Sequence, residues 1–289
     1  MNEKKYRLLV LGATGMLGNA IYRYFQNEAG YMVAGTIRTQ SKAGEIFAGA
    51  PSSLLFNVNT EDIDSLVEIF NAFSPDLVIN CIGIVKQAEQ AENPLTAIPI
   101  NSIFPHRVAN LCKLARARFI HISTDCVFSG SKGNYVEADL PDAVDLYGLT
   151  KYLGEVTTGN AITLRTSIIG HELSAAQSLI EWFLSQNGFI LGYRGAIFSG
   201  VPTVELARII RDYVIPNPDL NGLYHVSAAP ISKYDLLKLV AREYRKEIEI
   251  RSDDRIKIDR SLDSSRFQLK TGYSPVPWPE LIRQMHAFR

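Results

Sequence analysis

Apolar residues follow two alternating patterns through the first half of the chain. Short, almost continuous apolar runs are typical of strands buried on both faces, and they alternate with segments whose apolar residues recur every three or four positions, as on one face of a helix. The runs predict strands over residues 7–11, 31–37, 54–56, 76–81, 119–123 and 161–166. The periodic segments predict helices over residues 16–27, 62–73, 105–116 and 147–157. This alternation predicts an α/β fold with a doubly wound parallel sheet.

The pattern is less regular after Arg165. Helical spacing predicts helices over residues 174–185, 204–214 and 233–244, and shorter apolar runs predict strands over residues 223–227 and 248–250. We therefore expect a main domain over residues 1–166 and a smaller, mixed α/β C-terminal lobe over residues 167–289, which mainly binds substrate. Elements from about residues 196–228 are expected to return to the main sheet.

Composition and charge narrow the class of protein. The chain has 289 residues, is 46% hydrophobic, and carries 30 basic and 30 acidic residues, so no excess of charge points to nucleic acid or to a membrane as partner. Cys81, Cys112 and Cys126 are odd in number and lack CxxC spacing, which favours reduced thiols in a cytoplasmic protein. The histidines are scattered, and we expect no metal site.

Three glycines, Gly12, Gly15 and Gly18, lie where the first strand gives way to the first helix. Gly12 permits a tight turn, Gly15 lets the backbone approach a phosphate, and Gly18 allows the helix to pack closely on the strand. The N-terminus of the helix then points free N–H groups at a pyrophosphate. This context predicts a Rossmann-type dinucleotide-binding domain. The residues expected around the pyrophosphate are Gly12, Thr14, Gly15, Met16 and Leu17.

The end of the second strand selects the cofactor. NAD sites usually carry an acid there for the ribose hydroxyl, whereas an arginine accommodates a 2′-phosphate. Arg38 follows this strand and no acid precedes Glu45, which favours NADPH; a solvated Arg38, with NADH as cofactor, is the alternative. Ligands bind at the carboxyl ends of strands in such sheets. The residues expected beside the adenine and the nicotinamide ribose are Asn57, Val58, Cys81, Ile82 and Gly83.

Tyr147 and Lys151 are the candidate catalytic pair. Residues four apart on a helix lie on the same face. A phenol with a pKa of roughly 10 is a poor acid near neutrality, and a neighbouring ammonium group lowers that pKa. Ser123 and Thr124 end the fifth strand, on the same edge of the sheet as the glycine turn. The chain therefore predicts a hydroxyl, a tyrosine and a lysine beside the cofactor.

The motifs occur in an order that resembles a known family. They are GATGMLG at 12–18, STDCVFSG at 123–130, the Tyr147/Lys151 pair, LRTS at 164–167, Pro202-Thr203 and the segment 260–267. Together they resemble the extended short-chain dehydrogenase/reductases and, within them, the nucleotide-sugar reductase family of dTDP-4-dehydrorhamnose reductase. The resemblance spans almost the whole chain and is most specific in the first 167 residues.

The resemblance implies NADPH-dependent reduction of the 4-keto group of a nucleotide-linked 4-keto-6-deoxyhexose, in deoxysugar and cell-surface polysaccharide biosynthesis. It implies that Thr124 hydrogen-bonds the carbonyl oxygen, that Tyr147 protonates this oxygen, and that Lys151 holds the nicotinamide ribose and lowers the pKa of Tyr147. Asn101 supports the site from the cofactor side. Hydride addition builds negative charge on the ketone oxygen, which positioned donors and a cation stabilise. Ser123 in place of Thr124 stays open as the carbonyl donor.

Three positions depart from the family pattern and leave the exact sugar open. Cys126 stands where rhamnose-pathway enzymes often carry a tyrosine, residues 168–170 replace an aromatic-containing segment, and residues 192–200 are unlike the usual sequence. The residues expected at the substrate are Asp125, Cys126, Arg194 and Arg266. The arginines suit a diphosphate, with a surface ion pair as the alternative for each. Asp125 either contacts substrate or hydrogen-bonds loop amides.

Two other functions stay open. A dehydratase or epimerase of the same superfamily is disfavoured by Cys126, which replaces the glutamate that follows Thr-Asp in dehydratases, and by Arg38, since epimerases usually carry an acid there. A non-catalytic regulatory subunit, like the β subunit of methionine adenosyltransferase, is disfavoured by the intact Thr124, Tyr147 and Lys151. The expected partner is a nucleotide sugar, and the sequence is compatible with a homodimer.

Overall fold

The structure is a computed structural model, and it describes residues 5–37, 54–55, 58, 60, 62–86, 88–173 and 178–289. Its contacts divide the chain into two compact units. The first unit comprises Met1–Ser123, Asp145–Leu164 and Pro218–Leu223, and the second comprises Thr124–Val144, Arg165–Asn217 and Tyr224–Arg289. The units interleave along the chain, and the expected domains 1–166 and 167–289 stay a prediction.

The strands of the main sheet lie close to the predicted positions, whereas four of the remaining five described strands were not predicted. They are β1 (Tyr6–Leu11), β2 (Tyr31–Thr36), β3 (Leu54–Leu55), β4 (Leu77–Asn80), β5 (Arg118–Thr124), β6 (Ala161–Thr166), β7 (Ile168–Ile169), β8 (Phe189–Phe198), β9 (Val201–Pro202), β10 (Gly222–His225), β11 (Ile231–Ser232) and β12 (Glu249–Asp259). Seven of them form one sheet in the order β10-β6-β5-β4-β1-β2-β3. The neighbouring pairs from β5 to β3 are parallel, which confirms the predicted doubly wound α/β sheet.

The helices of the first unit connect these strands. They are α1 (Met16–Gln26), α2 (Ile63–Phe73), α3 (Pro94–Ala97), α4 (Phe104–Ala115) and α5 (Leu146–Leu153), with a π-helical segment (Ile98–Ile103) between α3 and α4. Asp62 and Asn93 cap α2 and α3 by accepting main-chain hydrogen bonds. Ser74 and Arg116 end α2 and α4 in the left-handed conformation, with φ of 47° and 56°.

The core of the first unit lies where apolar strands meet the apolar faces of these helices. The last four residues of β1 and all of β4 are buried, as expected for strands covered on both faces. Helix α4 contributes Phe104, Val108 and Cys112 to a cluster that also contains Leu9 and Phe119. Packing of this kind holds the carboxyl ends of the strands in fixed positions.

The second unit is built on shorter sheets. β8 pairs with β11 and with β12, and β7 pairs with β9. Its helices are α6 (Leu179–Ser185), α7 (Thr203–Ile209), α8 (Lys233–Glu243), α9 (Ser265–Thr271) and α10 (Trp278–Ala287), and a π-helical segment (Ile210–Val214) follows α7. Phe128 and Tyr135 stack with their ring centroids 4.1 Å apart in a small buried cluster of this unit.

Several boundaries differ from the sequence-based ones. Strand β12 runs to Asp259 rather than to residue 250, because its charged residues form a largely exposed strand without the apolar run on which the prediction depended. Helix α5 ends at Leu153 rather than at 157, since Gly154 serves as its C-cap. Helix α10, with Pro279 in its first turn, lies where the sequence analysis predicted no element.

Candidate functional site

A glycine turn joins β1 to α1. Gly12 has a φ of +84°, in the left-handed region that favours glycine, and its N–H donates to the Thr36 hydroxyl over 3.0 Å. A Cβ on Gly18 would lie 2.0 Å from the Gly12 carbonyl oxygen, so α1 can pack against the turn only with glycine here. Gly15 is exposed and caps α1 without a side chain, which leaves the first helical N–H groups for an anion.

The other residues predicted to bind the cofactor differ in their exposure, and two of them lie outside the described residues. Thr14 and Met16 are partly exposed in the turn, whereas the Leu17 side chain is buried and leaves only its main chain for a ligand. Val58 is also buried, in the core cluster of the first unit. Two predicted cofactor residues lie outside the described residues, namely Arg38 and Asn57.

The turn after β4 lies beside the glycine turn. The Cys81 N–H donates to the Leu11 carbonyl over 3.1 Å, and a Cβ on Gly12 would lie 2.9 Å from Ile82 Cγ1. The buried Asn80 holds this turn, because its Oδ1 accepts from the Ile82 N–H over 3.1 Å. The structure therefore brings together the loops that the sequence assigns to the pyrophosphate and to the nicotinamide ribose.

Asn80 is itself held by His121 on β5. The Asn80 amide nitrogen donates to His121 Nδ1 over 3.2 Å, so this ring nitrogen accepts. Burial and the neighbouring Lys151 and His106 lower the pKa of His121 well below its ordinary value, and the ring is neutral. The sequence analysis did not identify this contact between Asn80 and His121. Its signal was a polar residue inside each of two apolar strands.

Asn101 and Lys151 approach the same glycine. A Cβ on Gly83 would lie 3.4 Å from Asn101 Oδ1 and 3.6 Å from Lys151 Nζ. Asn101 belongs to the π-helical segment, and its Oδ1 accepts from the Ile84 N–H over 2.9 Å. Its amide nitrogen donates to Thr150 Oγ1 over 3.3 Å. The structure thus brings three predicted residues together at the end of β4.

Lys151 is a buried cation attached to the main chain. Its side chain is 6% exposed, and Nζ donates to the Ile122 carbonyl over 2.9 Å. Burial lowers the pKa of Lys151 from 10.5 to about 8, an effect opposed chiefly by the charge of Glu155. Burial raises the pKa of the Cys81 thiol to about 12, so it is a neutral thiol near neutrality. Lys151 therefore titrates closer to neutrality than a free lysine.

Tyr147 lies one helical turn before Lys151. Helix α5 begins there because the Asp145 side chain caps it, accepting from the Gly148 N–H over 2.9 Å. Asp145 also forms an ion pair with Lys86 at 2.7 Å. Tyr147 is partly exposed, as a group that meets a substrate must be.

Glu155 is a further charged residue near Lys151 that the sequence analysis missed. It accepts a hydrogen bond of 2.7 Å from the Ser123 hydroxyl, and its charge raises the pKa of Lys151. The signal was an acid four residues after Lys151, in register with Tyr147 and Lys151. The single hydroxyl hydrogen of Ser123 is used in this bond. Ser123 is therefore less suited to the role of carbonyl donor that the sequence analysis left open for it.

Thr124, Asp125 and Cys126 form a cluster in the second unit. Thr124 Oγ1 donates to Asp125 Oδ1 over 3.1 Å and accepts from the Cys126 N–H over 3.1 Å. Asp125 is buried, and this burial raises the pKa of its carboxyl group, an effect opposed by Arg260 and by hydrogen bonds from Thr124, Cys126 and Ser167. Ser167 and Arg260 lie within motifs of the resemblance, yet the sequence analysis gave them no role.

Arg194 and Arg266 are exposed and contact aromatic rings. The Arg194 guanidinium lies 5.3 Å from the centre of the Tyr234 ring, and that of Arg266 lies 4.8 Å from the centre of the Tyr224 ring. Such contacts hold an arginine without neutralising it. Neither contact involves Asp125, so the expected role of the arginines at a diphosphate stays a prediction.

None of the helices in the described ranges is long and apolar enough to cross a membrane. Within the same ranges, no three or more histidine, cysteine, aspartate or glutamate side chains are grouped so as to hold a metal ion.

Comparison with known proteins gives a family and several relatives. A family model described as RmlD substrate binding domain matches residues 6–285. The probable low-salt glycan biosynthesis reductase Agl14 of Haloferax volcanii is 32% identical over 55% of this chain and 52% of its own length. Methionine adenosyltransferase 2 subunit beta of Rattus norvegicus is 29% identical over 54% of this chain and 43% of its own length. The chain thus spans about half the length of these two relatives.

Other relatives match over the full length. The dTDP-4-dehydrorhamnose reductase of Aggregatibacter actinomycetemcomitans is 25% identical over 98% of this chain and 99% of its own length. A crystal structure of dTDP-4-dehydrorhamnose reductase from Bacillus anthracis in complex with NADP superposes with a TM-score of 0.80. That structure is 20% identical and covers 99% of this chain and 100% of its own, a likeness that shows the fold.

Proposed function

The chain belongs to the RmlD substrate-binding domain family, within the extended short-chain dehydrogenase/reductases, and we propose that it reduces the 4-keto group of a nucleotide-linked 4-keto-6-deoxyhexose with NADPH. One observation carries the proposal. The buried cation of Lys151 lies beside Gly83 and Asn101, one helical turn from the partly exposed Tyr147. A buried lysine that close to a predicted cofactor loop suits redox chemistry on a carbonyl better than it suits a packing role.

The first unit supports NADPH as the cofactor. The Gly12 turn and the uncapped N-terminus of α1 suit a pyrophosphate, and the turn from Cys81 to Gly83 suits the nicotinamide ribose. When bound, the nicotinamide supplies the hydride. In our proposal Lys151 holds the ribose, and Arg38 accepts the 2′-phosphate. The NADP named with the Bacillus anthracis structure agrees with this choice.

The proposed reaction requires stabilisation of the negative charge that develops on the ketone oxygen. Tyr147 donates its phenolic proton to the ketone oxygen, and the Lys151 cation stabilises the phenolate that results. We assign Thr124 as the second donor to this oxygen, as the resemblance implies; in the structure its hydrogen, like that of Ser123, is given to a carboxyl group. Asn101 keeps its place through the Ile84 N–H and supports the ribose side.

Substrate recognition is proposed to involve Asp125 and Cys126 at the sugar, and Arg194 and Arg266 at the diphosphate. The two arginines are exposed and keep their charge for a phosphate oxygen. Cys126, whose main chain donates to Thr124, stands where rhamnose-pathway enzymes often carry a tyrosine. On this ground we extend the proposed substrates to related 4-keto-6-deoxy sugars, an N-acetylated hexose included.

A regulatory subunit is the second candidate function. The relative from Rattus norvegicus, a subunit of methionine adenosyltransferase, is 29% identical in the matched segment. On this alternative the chain would bind NADPH without turning over any sugar and would associate with a catalytic partner.

A single assay separates the two functions. The oxidation of NADPH is followed against a panel of dTDP-, UDP- and GDP-linked 4-keto-6-deoxyhexoses, with the Tyr147→Phe variant as a matched control. Turnover of at least one sugar that is lost in the variant supports the reductase. NADPH binding without turnover of any sugar contradicts it and favours the regulatory subunit.

A further inference from the structure

The hydroxyl hydrogens of both candidate carbonyl donors are already engaged. A hydroxyl group has one hydrogen to donate and two lone pairs to accept. Ser123 gives its hydrogen to Glu155 over 2.7 Å, and Thr124 gives its hydrogen to Asp125 over 3.1 Å. Thr124 Oγ1 also accepts from the Cys126 N–H. While an ionised Asp125 accepts from it, Thr124 therefore has no hydrogen left for a ketone oxygen.

We propose that Asp125 is a positioning residue that acts as a neutral carboxylic acid: its O–H donates to Thr124 Oγ1, and this frees the Thr124 hydrogen for the substrate carbonyl oxygen. Thr124 then accepts from Asp125 and from the Cys126 N–H, which uses both lone pairs, and donates once. This inference rests on the proposed reduction of a ketone. It adds the direction of the hydrogen bond between Asp125 and the donor Thr124.

The surroundings of Asp125 suit the neutral acid. The side chain is buried directly after β5, where water does not solvate a charge. Burial raises the pKa of this carboxyl group against the opposing effects of Arg260, Thr124, Cys126 and Ser167. The Arg260 guanidinium, whose charge opposes this effect, donates from Nε to the Phe128 carbonyl over 2.7 Å.

The role is one of orientation, and no proton leaves Asp125. The proton delivered to the sugar comes from Tyr147, and the Asp125 proton stays on its carboxyl group throughout. A neutral Asp125 lets Thr124 stabilise the developing negative charge as a second donor. An ionised Asp125 instead withdraws that hydrogen and places a second negative charge near the first. The proposal therefore predicts that turnover falls as Asp125 ionises with rising pH.

Infrared spectroscopy tests the protonation state without any substrate. The difference spectrum between the ligand-free protein and its Asp125→Asn variant should show the carbonyl stretch of a protonated carboxylic acid, which disappears as the pH is raised. The matched control is Asp254→Asn, which removes an exposed carboxylate and should show only carboxylate bands. A spectrum in which Asp125 shows only carboxylate bands at the pH of fastest turnover would overturn the proposal.

Kinetics with NADPH and dTDP-4-dehydrorhamnose then test the function of that proton. Asparagine can donate to Thr124 as the neutral acid does, so Asp125→Asn should lose clearly less turnover than Asp125→Ala and should lose the pH dependence that Asp125 causes. Asp125→Ala removes the donor and should lower kcat about tenfold or more, with KM for NADPH unchanged. The control Asp254→Asn should behave as the unaltered protein.

Two kinetic outcomes contradict the inference. If Asp125→Asn loses as much activity as Asp125→Ala, the reaction needs the carboxylate rather than the acid. If Asp125→Ala keeps full activity, Asp125 does not position Thr124. If the unaltered protein turns over neither this sugar nor any of the panel, the proposed function fails, and the infrared result still decides the protonation state of Asp125.

Discussion

The surroundings of Lys151 in the first unit and those of Asp125 in the second are held by different kinds of hydrogen bond. Lys151 donates to the Ile122 carbonyl, and Asn101 accepts from the Ile84 N–H, so both are tied to the main chain. Asp125 is surrounded by side chains, namely those of Thr124, Ser167 and Arg260. Main-chain anchors persist whatever the neighbouring residues are, whereas side-chain partners change with a single substitution.

We expect this difference to separate what the members of a fold share from what they vary. Groups tied to the main chain suit the cofactor and the acid–base pair, which a common chemistry needs in one geometry. Groups tied to each other suit a substrate pocket, which can change between relatives without disturbing the sheet. Changes near Lys151 should therefore affect catalysis or folding, and changes near Asp125 should affect donor geometry and substrate choice.

The largest effect is expected at the reacting group. Tyr147→Phe removes the phenolic proton, and general acid catalysis typically contributes 10²–10⁴ in rate, so kcat should fall by about a hundredfold or more. NADPH affinity should change little, because Lys151 keeps its bond to the Ile122 carbonyl. The measurement is steady-state turnover with fluorescence titration of NADPH. Unchanged turnover would remove Tyr147 from the mechanism.

The next largest effect is expected on folding. Gly18→Ala would place a Cβ 2.0 Å from the Gly12 carbonyl oxygen, and forcing α1 away from the turn should lower the free energy of unfolding by about 2–4 kcal/mol. The matched control is Gly30→Ala, whose Cβ would meet nothing within 4 Å. Urea unfolding of both variants makes the comparison. Equal stabilities would show that the turn tolerates displacement and that main-chain anchoring there is weak.

The next effect is expected in the pH dependence of kcat/KM, through the ionisation of Lys151. Its pKa of about 8 means that the cation is lost as pH rises through this value, so kcat/KM should fall on the alkaline side. Glu155 raises this pKa, and Glu155→Gln should therefore move the fall to lower pH, by about one pH unit. The control Glu68→Gln removes an exposed carboxylate from α2 and should leave the profile in place.

Two losses of activity with rising pH are then distinguishable by their variants. Glu155→Gln should move the step that belongs to Lys151, and Asp125→Asn should abolish the step that belongs to Asp125. If Glu68→Gln and Glu155→Gln move the profile equally, net charge rather than the local field of Glu155 controls Lys151.

The smallest effect is expected in the choice between NADPH and NADH. Arg38→Ala removes the expected partner of the 2′-phosphate and should weaken NADPH binding about tenfold while leaving NADH binding unchanged. Titration of both cofactors measures the ratio of their dissociation constants. An equal loss for the two cofactors would contradict the assignment of the 2′-phosphate to Arg38.

Local sequence patterns were sufficient to predict much of the secondary structure of the first unit. The apolar runs predicted the strands of the main sheet, since a strand covered on both faces needs a continuous apolar sequence. The glycine spacing predicted the turn that Gly12 forms, because its φ of +84° suits glycine. The same reasoning missed most of β12, whose charged residues carry no apolar signal.

The sequence by itself determined the parallel α/β fold, the glycine turn and the Tyr147–Lys151 spacing, because these depend on backbone conformation and on positions a few residues apart. Only the tertiary structure decided the hydrogen bonds of the hydroxyl groups, which engage Ser123 with Glu155 and Thr124 with Asp125. It also decided that Lys151 is buried and loses much of its basicity. Hydrogen-bond partners and solvation depend on groups distant in sequence, and no local pattern contains them.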